Sequence, residues 1–497
     1  MRILFCVLIY IVVGQELVAA PPHKAGEITS ETKSLKTRSG EVIDYELGTL
    51  YVLENRSDTD SRIIGVGFAR LPAVEKVSGV PPVFRLPGGP GSTFLGRLKS
   101  ARGRDLERWL PQTARLRKFC DVVIVDQRGF SEHGDVLIRK KRSPAKFPDI
   151  LLTTQDYVTA SEEFARETVE EYSRNEIDLR GYTVKECAHD VADLAKALDY
   201  DKITLNGTSF GSQWSFAVMR LHPEIVARAV LSGVEPLDHS YDMPSYLFAG
   251  LQRIWRAVDQ DDRFKPYLPE GGMAEAARVV IERLEREPIR LTGKDSESGK
   301  QIPQGVIGPG RFPYHEPKFI LELYHGRTER WRQRSGAASA RRSRDMNLIQ
   351  PLIDTSLGVT PARRHQLWAD PANRYLRRRG FAGGLATAEI WPSPDVGDDF
   401  RTPILSDIPV VFAQGNWDIN TPIENTFEIA PYFPYSRTII ADRGGHGVLE
   451  PIADQLPKVW AEIEEFVRNG DLQDIPVNVT LKPSHRFEPP TFKLPSE

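Results

Sequence analysis

The sequence predicts an α/β fold: a mostly parallel, doubly wound sheet interrupted by an inserted, mainly helical block. Three observations predict it. The run Asp121-Val122-Val123-Ile124-Val125-Asp126 is apolar and β-branched, the composition of a strand buried on both faces of a parallel sheet. Strand and helix signals alternate from residue 83 to residue 231. The alternation then stops; helical signals fill 241–400, and strand signals return at 409–413 and 438–440.

In chain order, Arg2 and the uncharged run 3–13 read as a secretory signal over residues 1–20. The run falls short of the roughly 20 apolar residues that span a bilayer. Val18-Ala19-Ala20 supplies a small-residue cleavage site. The expectation is an exported protein, periplasmic or secreted, with no stable membrane span after signal removal; an uncleaved N-terminal anchor is the alternative. With 497 residues, a net charge of −3 and 40% hydrophobic residues, the chain can bury a full core and is neither disordered nor strongly basic. A nucleic-acid partner is therefore not expected.

The core is expected in two parts, 21–240 and 401–470, around a helical lid at 241–400, with a Pro-rich tail at 471–497. Residues 45–53, 62–71 and 83–86 read as strands, 106–116 as a helix, and 21–40 as a polar lead-in. Thr183-Val184-Lys185-Glu186 has the form of a capping box, opening a helix with Cys187, Val191, Leu194 and Leu198 on one face. Within the block, helices are expected at 246–258, 273–286 and 316–324. Outside the signal there are two cysteines, Cys120 and Cys187. One opens a strand and the other begins a helix returning antiparallel to it, so their separation exceeds disulfide reach and both are expected as buried thiols.

The chemistry centres on Gly207-Thr208-Ser209-Phe210-Gly211, a G-x-S-x-G turn between the extended run 202–205 and the helix-like run 212–219. A serine on such a strained strand-to-helix turn presents its hydroxyl above the sheet, and the glycines let strand and helix approach. Ser209 is the candidate nucleophile. It needs a base and an acid to orient that base, and after such an elbow the chain order is acid, then His. Asp418, in Gly415-Asn416-Trp417-Asp418, follows the strand at 410–413; His446, in Gly444-Gly445-His446-Gly447, follows the strand at 439–440. Asp407 and Asp442 are the fallback acids. Asp418 and His446 both lie at carboxyl ends of strands, where open α/β sheets build their sites.

An oxyanion hole is expected from the Phe210 N–H and one N–H of Pro87-Gly88-Gly89-Pro90-Gly91. Pro90 cannot donate, so Gly89 is preferred and Gly88 is the alternative. Asp126 and Arg128, in Asp126-Gln127-Arg128-Gly129, are expected to brace that loop.

Together these motifs resemble those of the α/β-hydrolase superfamily, in the branch of proline iminopeptidases and secreted tripeptidyl aminopeptidases. Pro87 departs from that pattern, which usually carries His there. The resemblance implies hydrolysis of peptides near a free N-terminus, without metal or cofactor, and acidic side chains near the lid that hold the α-ammonium. Glu235 is the nearest candidate for that role, with Asp238 and Asp242 behind it. A carboxylic ester hydrolase using the same three residues is the first rival, and a catalytically silent binding module the second. Residues 331–380 hold 11 Arg and 3 Asp with neither Lys nor Glu. They read as a solvated basic face; attraction of anionic substrates or surfaces is the alternative.

Overall fold

The computed structural model describes residues 23–36, 40–100, 110–131, 133–139, 154–286, 316–329, 346–376, 379–482 and 486–494. The N-terminal signal, the leading part of the helix expected at 106–116, and residues 331–345 and 377–378 of the Arg-rich stretch lie outside these.

One ten-stranded sheet organises the chain. Its strands are β1 (Ile28–Lys36), β2 (Val42–Leu53), β3 (Ile63–Leu71), β4 (Val83–Leu86), β5 (Val122–Val125), β6 (Ile203–Thr208), β7 (Val226–Ser232), β8 (Val410–Gly415), β9 (Ser436–Asp442) and β10 (Asn478–Thr480). Their order is β1-β2-β3-β5-β4-β6-β7-β8-β9-β10. The first three pairings at the β1 end are antiparallel, and every pairing from β5–β4 onward is parallel. The central parallel strands β4, β5 and β8 are buried along their whole length. Both faces of those strands are covered, so their sequences run apolar without alternation.

Helices α1 (Thr154–Arg174), α2 (Val184–Ala197) and α3 (Phe210–Leu221) follow, then α4 (Pro244–Asp259), α5 (Gly272–Arg286) and α6 (Glu316–Tyr324). After them come α7 (Ile349–Leu357), α8 (Pro361–Ala369), α9 (Arg379–Thr387), α10 (Leu449–Gln455) and α11 (Pro457–Asn469). The sheet is wound on both sides. Val184, Val191, Leu194, Trp214 and Val218 of α2 and α3 share one core with Phe84, Leu205 and Phe412. Ile452, Trp460, Ile463 and Phe466 of α10 and α11 pack on the opposite face with Val83, Val411 and Ile439. Helices α4, α5 and α6 build a separate core over the carboxyl edge, through Leu251, Trp255, Val280, Ile281 and Phe319.

Four elements depart from the expectations. Strand β1 lies within the lead-in expected to be merely polar; most of its residues are exposed, so no apolar alternation marks it. Helix α1, not anticipated, sets Phe164 against Trp391 at 6.3 Å, so the helical cover draws on residues before the serine turn as well as after it. The C-terminal stretch contributes β10 to the sheet edge and then inserts Phe487 against Trp417 (ring centroids 5.4 Å) and Phe264 (6.5 Å). In α2, Thr183 accepts from the Glu186 N–H, but the Glu186 carboxylate turns to Arg56 and Arg128 instead of closing a capping box. Cys120 and Cys187 are buried free thiols, and burial pushes the Cys120 thiol up to about 12.

The Phe487 contact ties the C-terminal strap to the loop that carries Asp418. Phe487→Ala is expected to lower stability by about 3 kcal/mol, measured by urea unfolding, with the transition of the α4–α6 region preceding that of the sheet.

Candidate active site

The serine turn is built by close packing of backbone. A Cβ at Gly211 would lie 2.1 Å from the Leu86 carbonyl oxygen, and one at Gly207 would lie 2.2 Å from the Gly211 carbonyl oxygen. Only glycine permits those approaches, so α3 starts directly above β4 and β6. Ser209 sits at φ 59° and ψ −132°, a conformation that non-glycine residues adopt only under constraint. Its N–H donates to the Ser232 carbonyl at the end of β7 (2.9 Å), which locks the turn to the neighbouring strand.

The two loops after β8 and β9 are similarly interlocked. A Cβ at Gly415 would lie 2.2 Å from the Gly444 carbonyl oxygen, and the Trp417 N–H donates to that same oxygen (2.9 Å). His446 Nδ1 donates to Asp418 Oδ2 at 3.0 Å; the aspartate side chain is fully buried, while the imidazole keeps 29% of its surface. The ring lies over Gly233, where a Cβ would sit 3.0 Å from His446 Cε1. Gly233 follows Ser232, the residue that accepts from Ser209, so serine turn, imidazole and aspartate meet at one edge. Neither fallback acid competes: Asp407 is exposed, and Asp442 accepts from Asn416 Nδ2 (2.9 Å).

Asp418 carries a dense set of donors. Oδ1 accepts from the Asn420 and Thr421 N–H groups (2.9 and 3.0 Å), and Oδ2 accepts from Thr421 Oγ1 (2.7 Å) and Gln414 Nε2 (3.1 Å) as well as the imidazole. Burial opposes its charge, but His446 and the Thr421 bonds hold its carboxyl below the usual range. Gln414 and Thr421 were not singled out from sequence.

The loop from Pro87 to Gly91 lies against the serine. A Cβ at Gly88 would be 3.0 Å from Ser209 Cβ and 3.5 Å from its Oγ. Phe210 is the first residue of α3, and such N–H groups have no acceptor within their own helix. Gln127 braces the loop: its Nε2 donates to the Gly88 carbonyl (2.9 Å) and its Oε1 accepts from the Gly91 N–H (2.7 Å). Asp126 accepts from Thr93 Oγ1 just beyond (2.8 Å). Arg128, expected to share this task, does not. It lies in the turn after β5 and reaches the other way, donating to Asp190 and to the Glu54 and Gly181 carbonyls.

Three carboxylic acids lie beside this group. Glu235 follows β7, its N–H donating to Ser212 Oγ (2.9 Å), and its carboxyl is raised well above the usual range by burial and by Asp242, Asp354 and Asp418. Asp242 accepts from Asn425 Nδ2 (3.1 Å) and is raised to about 6, mainly by burial. Asp354, on α7, was not anticipated; burial foremost, then Asp242, raises it to about 7. All three keep some accessible surface, and none has an ion pair with Lys or Arg among the described residues. Asp238, expected with Glu235 and Asp242, is instead engaged at the start of α8, accepting from the Thr360 N–H (2.6 Å) and hydroxyl (2.8 Å).

The sheet order, the strained serine at the end of β6 and the Asp and His loops after β8 and β9 now stand with a family match: residues 81–273 match the alpha/beta hydrolase fold family. The chain has the α/β-hydrolase fold. No curated protein matches the chain. Similar solved structures include a thermophilic esterase from Thermogutta terrifontis, with 17% identity, 84% of this chain and 97% of the other covered, and a TM-score of 0.34. They also include an esterase from Exiguobacterium antarcticum (12%, 84% and 98%, 0.35) and an epoxide hydrolase from Vigna radiata (12%, 88% and 97%, 0.34). Within this α/β-hydrolase fold, Ser209 occupies the position after the central strand β6. No described helix is long and apolar enough to cross a membrane.

Because Asp354 takes up a proton more readily folded than unfolded, its ionisation opposes folding as pH rises from the ordinary carboxylate range through about 7. Asp354→Asn removes that opposition. Urea unfolding should find the variant gaining on the wild type steadily as pH rises from about 4 to about 8, by about 1 kcal/mol or more over that range. A pH-independent difference would contradict the assignment.

Proposed function

We propose that the chain is an exported serine hydrolase that cleaves peptide amide bonds near a free N-terminus. The observation that carries the hydrolase reading is the 3.0 Å His446–Asp418 pair beside the strained Ser209 turn. In the proposed reaction His446 takes the Ser209 hydroxyl proton as Oγ attacks the scissile carbonyl. Asp418 holds the resulting imidazolium in place. The Phe210 N–H, with Gly89 or Gly88, stabilises the oxyanion. Collapse of the tetrahedral intermediate passes the imidazolium proton to the departing amine and leaves an acyl-enzyme, which water releases by the same steps.

The preference for a free N-terminus rests on the acids. Glu235, Asp242 and Asp354 are carboxyls pushed toward their neutral forms next to Asp418, with no ion pair to Lys or Arg among the described residues. An α-ammonium would supply the missing positive charge, and its arrival would drive the carboxyls toward their ionised forms. Blocking the amine removes that attraction and leaves the acids buried without compensation. Export is proposed from the leader composition alone.

The test is a paired assay on tripeptidyl and aminoacyl amides with free or acetylated amines. The free-amine substrates should show kcat/KM at least about 100-fold higher, as expected for a lost buried charge contact. Glu235→Gln and Asp242→Asn should erode that ratio mainly through KM, leaving turnover of the blocked substrate unchanged. Equal cleavage of blocked and free amides would remove the N-terminal preference, and turnover of aryl esters without amide cleavage would favour the ester hydrolase reading.

A further inference from the structure

The Thr421 side chain touches both the acid and the base. It is fully buried, its Oγ1 stands 2.7 Å from Asp418 Oδ2 and 3.1 Å from His446 Nδ1, and its own N–H donates to Asp418 Oδ1 (3.0 Å). Gln414 Nε2 donates to the Thr421 carbonyl (2.7 Å), and Gly233 presses against Oγ1 at a distance where a Cβ would come to 3.1 Å. The hydroxyl therefore has one rotational outcome. Its proton goes to Asp418 Oδ2, since an ionised carboxylate only accepts, and its lone pair faces the Nδ1–H of His446.

We infer that Thr421 is a positioning residue that holds the Nδ1–H tautomer of His446 through a three-centre hydrogen bond and limits the pull of Asp418 on the imidazolium. This rests on the reading of Ser209, Asp418 and His446 as a hydrolytic centre. Two consequences follow from the geometry. The Nδ1–H is shared between Asp418 Oδ2 and Thr421 Oγ1, which keeps the ring plane fixed and leaves Nε2 as the proton acceptor toward the serine turn. The Thr421 O–H and the Nδ1–H also compete for the same carboxylate oxygen. A donor withdrawn from that oxygen makes it a stronger partner for the positive ring, so the hydroxyl keeps the base from being held protonated near neutral pH. Among the described residues, the titratable groups coupled to this pair include Asp242, which acts on His446 and Asp418, Glu235, which acts on Asp418, and Asp354, which acts through Asp242.

The test compares full-length wild type, Thr421→Val, Thr421→Ala and Thr421→Ser, each checked by its unfolding midpoint. The His446 imidazole is titrated in the resting protein by NMR of labelled histidine, and kcat/KM for a free-amine tripeptidyl amide is followed against pH. In Thr421→Val, or in Thr421→Ala if the valine variant does not fold, the imidazole titration and the acid limb of the rate profile should both move to higher pH by about one unit. Turnover should fall about tenfold, the cost of one hydrogen bond to a charged group. Thr421→Ser should return both readouts to the wild-type values. An unmoved titration in the hydroxyl-free variants overturns the inference, as does Thr421→Ser behaving like Thr421→Val. Should the wild type hydrolyse nothing, the hydrolase reading fails by itself, and the NMR titration still decides the role of Thr421.

Discussion

The approach of α3 to β4 governs the rest of the molecule. With no side chain at Gly211, the first turn of the helix rests on the Leu86 carbonyl, and the chain leaving β6 must reverse within a few residues. That reversal places Ser209 at positive φ, raises its side chain off the sheet and brings its N–H to the end of β7. Strain of this size, of order 1–3 kcal/mol, persists only where the surroundings over-determine it. Here the glycine contacts, the bond to Ser232 and the packing of Trp214 and Phe210 under the helix supply that constraint.

The two partner loops obey a related rule. Parallel neighbours β8 and β9 end at the same edge, and the contact of Gly415 with the Gly444 carbonyl draws their loops together. Asp418 and His446, far apart in sequence, meet because both loops are tight and the strands beneath them are in register. The cover reinforces this from above. Helix α4 packs Gly250 against Ile419, and Arg253 donates to the Asn416 carbonyl (2.6 Å) and to Glu424 (2.8 Å). His239, Tyr246 and Arg363 converge on Glu428, binding α4 and α8 to the helix that follows the acid loop; burial and Arg363 press His239 down to about 4. The acid loop is thus held by the sheet, the cover and, through Phe487 on Trp417, the C-terminal strap.

What was legible in the sequence follows from what is local. The buried strands announced themselves by unbroken apolar runs, and the serine turn by glycines whose spacing encodes the close approach. The order of Ser209, Asp418 and His446 could be read because each stands in a short motif after a strand. The hidden parts depend on tertiary partners. Strand β1 shows no alternation because it is exposed on both faces, and α1 carries few apolar residues for its length. Thr421 and Gln414 act on Asp418 through the shape of one loop, which no pattern of residue types declares. Asp354 reaches the acid group only because α7 folds back over the sheet, and Asp238 was misread because Thr360, its partner, lies 122 residues away. Arg128 leaves the oxyanion loop because its partners, Asp190 and the Glu54 and Gly181 carbonyls, come from segments distant in sequence.

The strained serine, poised beside a paired imidazole, is the claim on which the remaining chemistry stands. Reaction of the purified protein with a fluorophosphonate, with the modified peptide located by mass spectrometry, tests it most directly. The account predicts stoichiometric phosphonylation at Ser209 that is lost in Ser209→Ala and strongly slowed in His446→Ala. Absence of labelling in the folded wild type, or labelling that persists in Ser209→Ala, would contradict it.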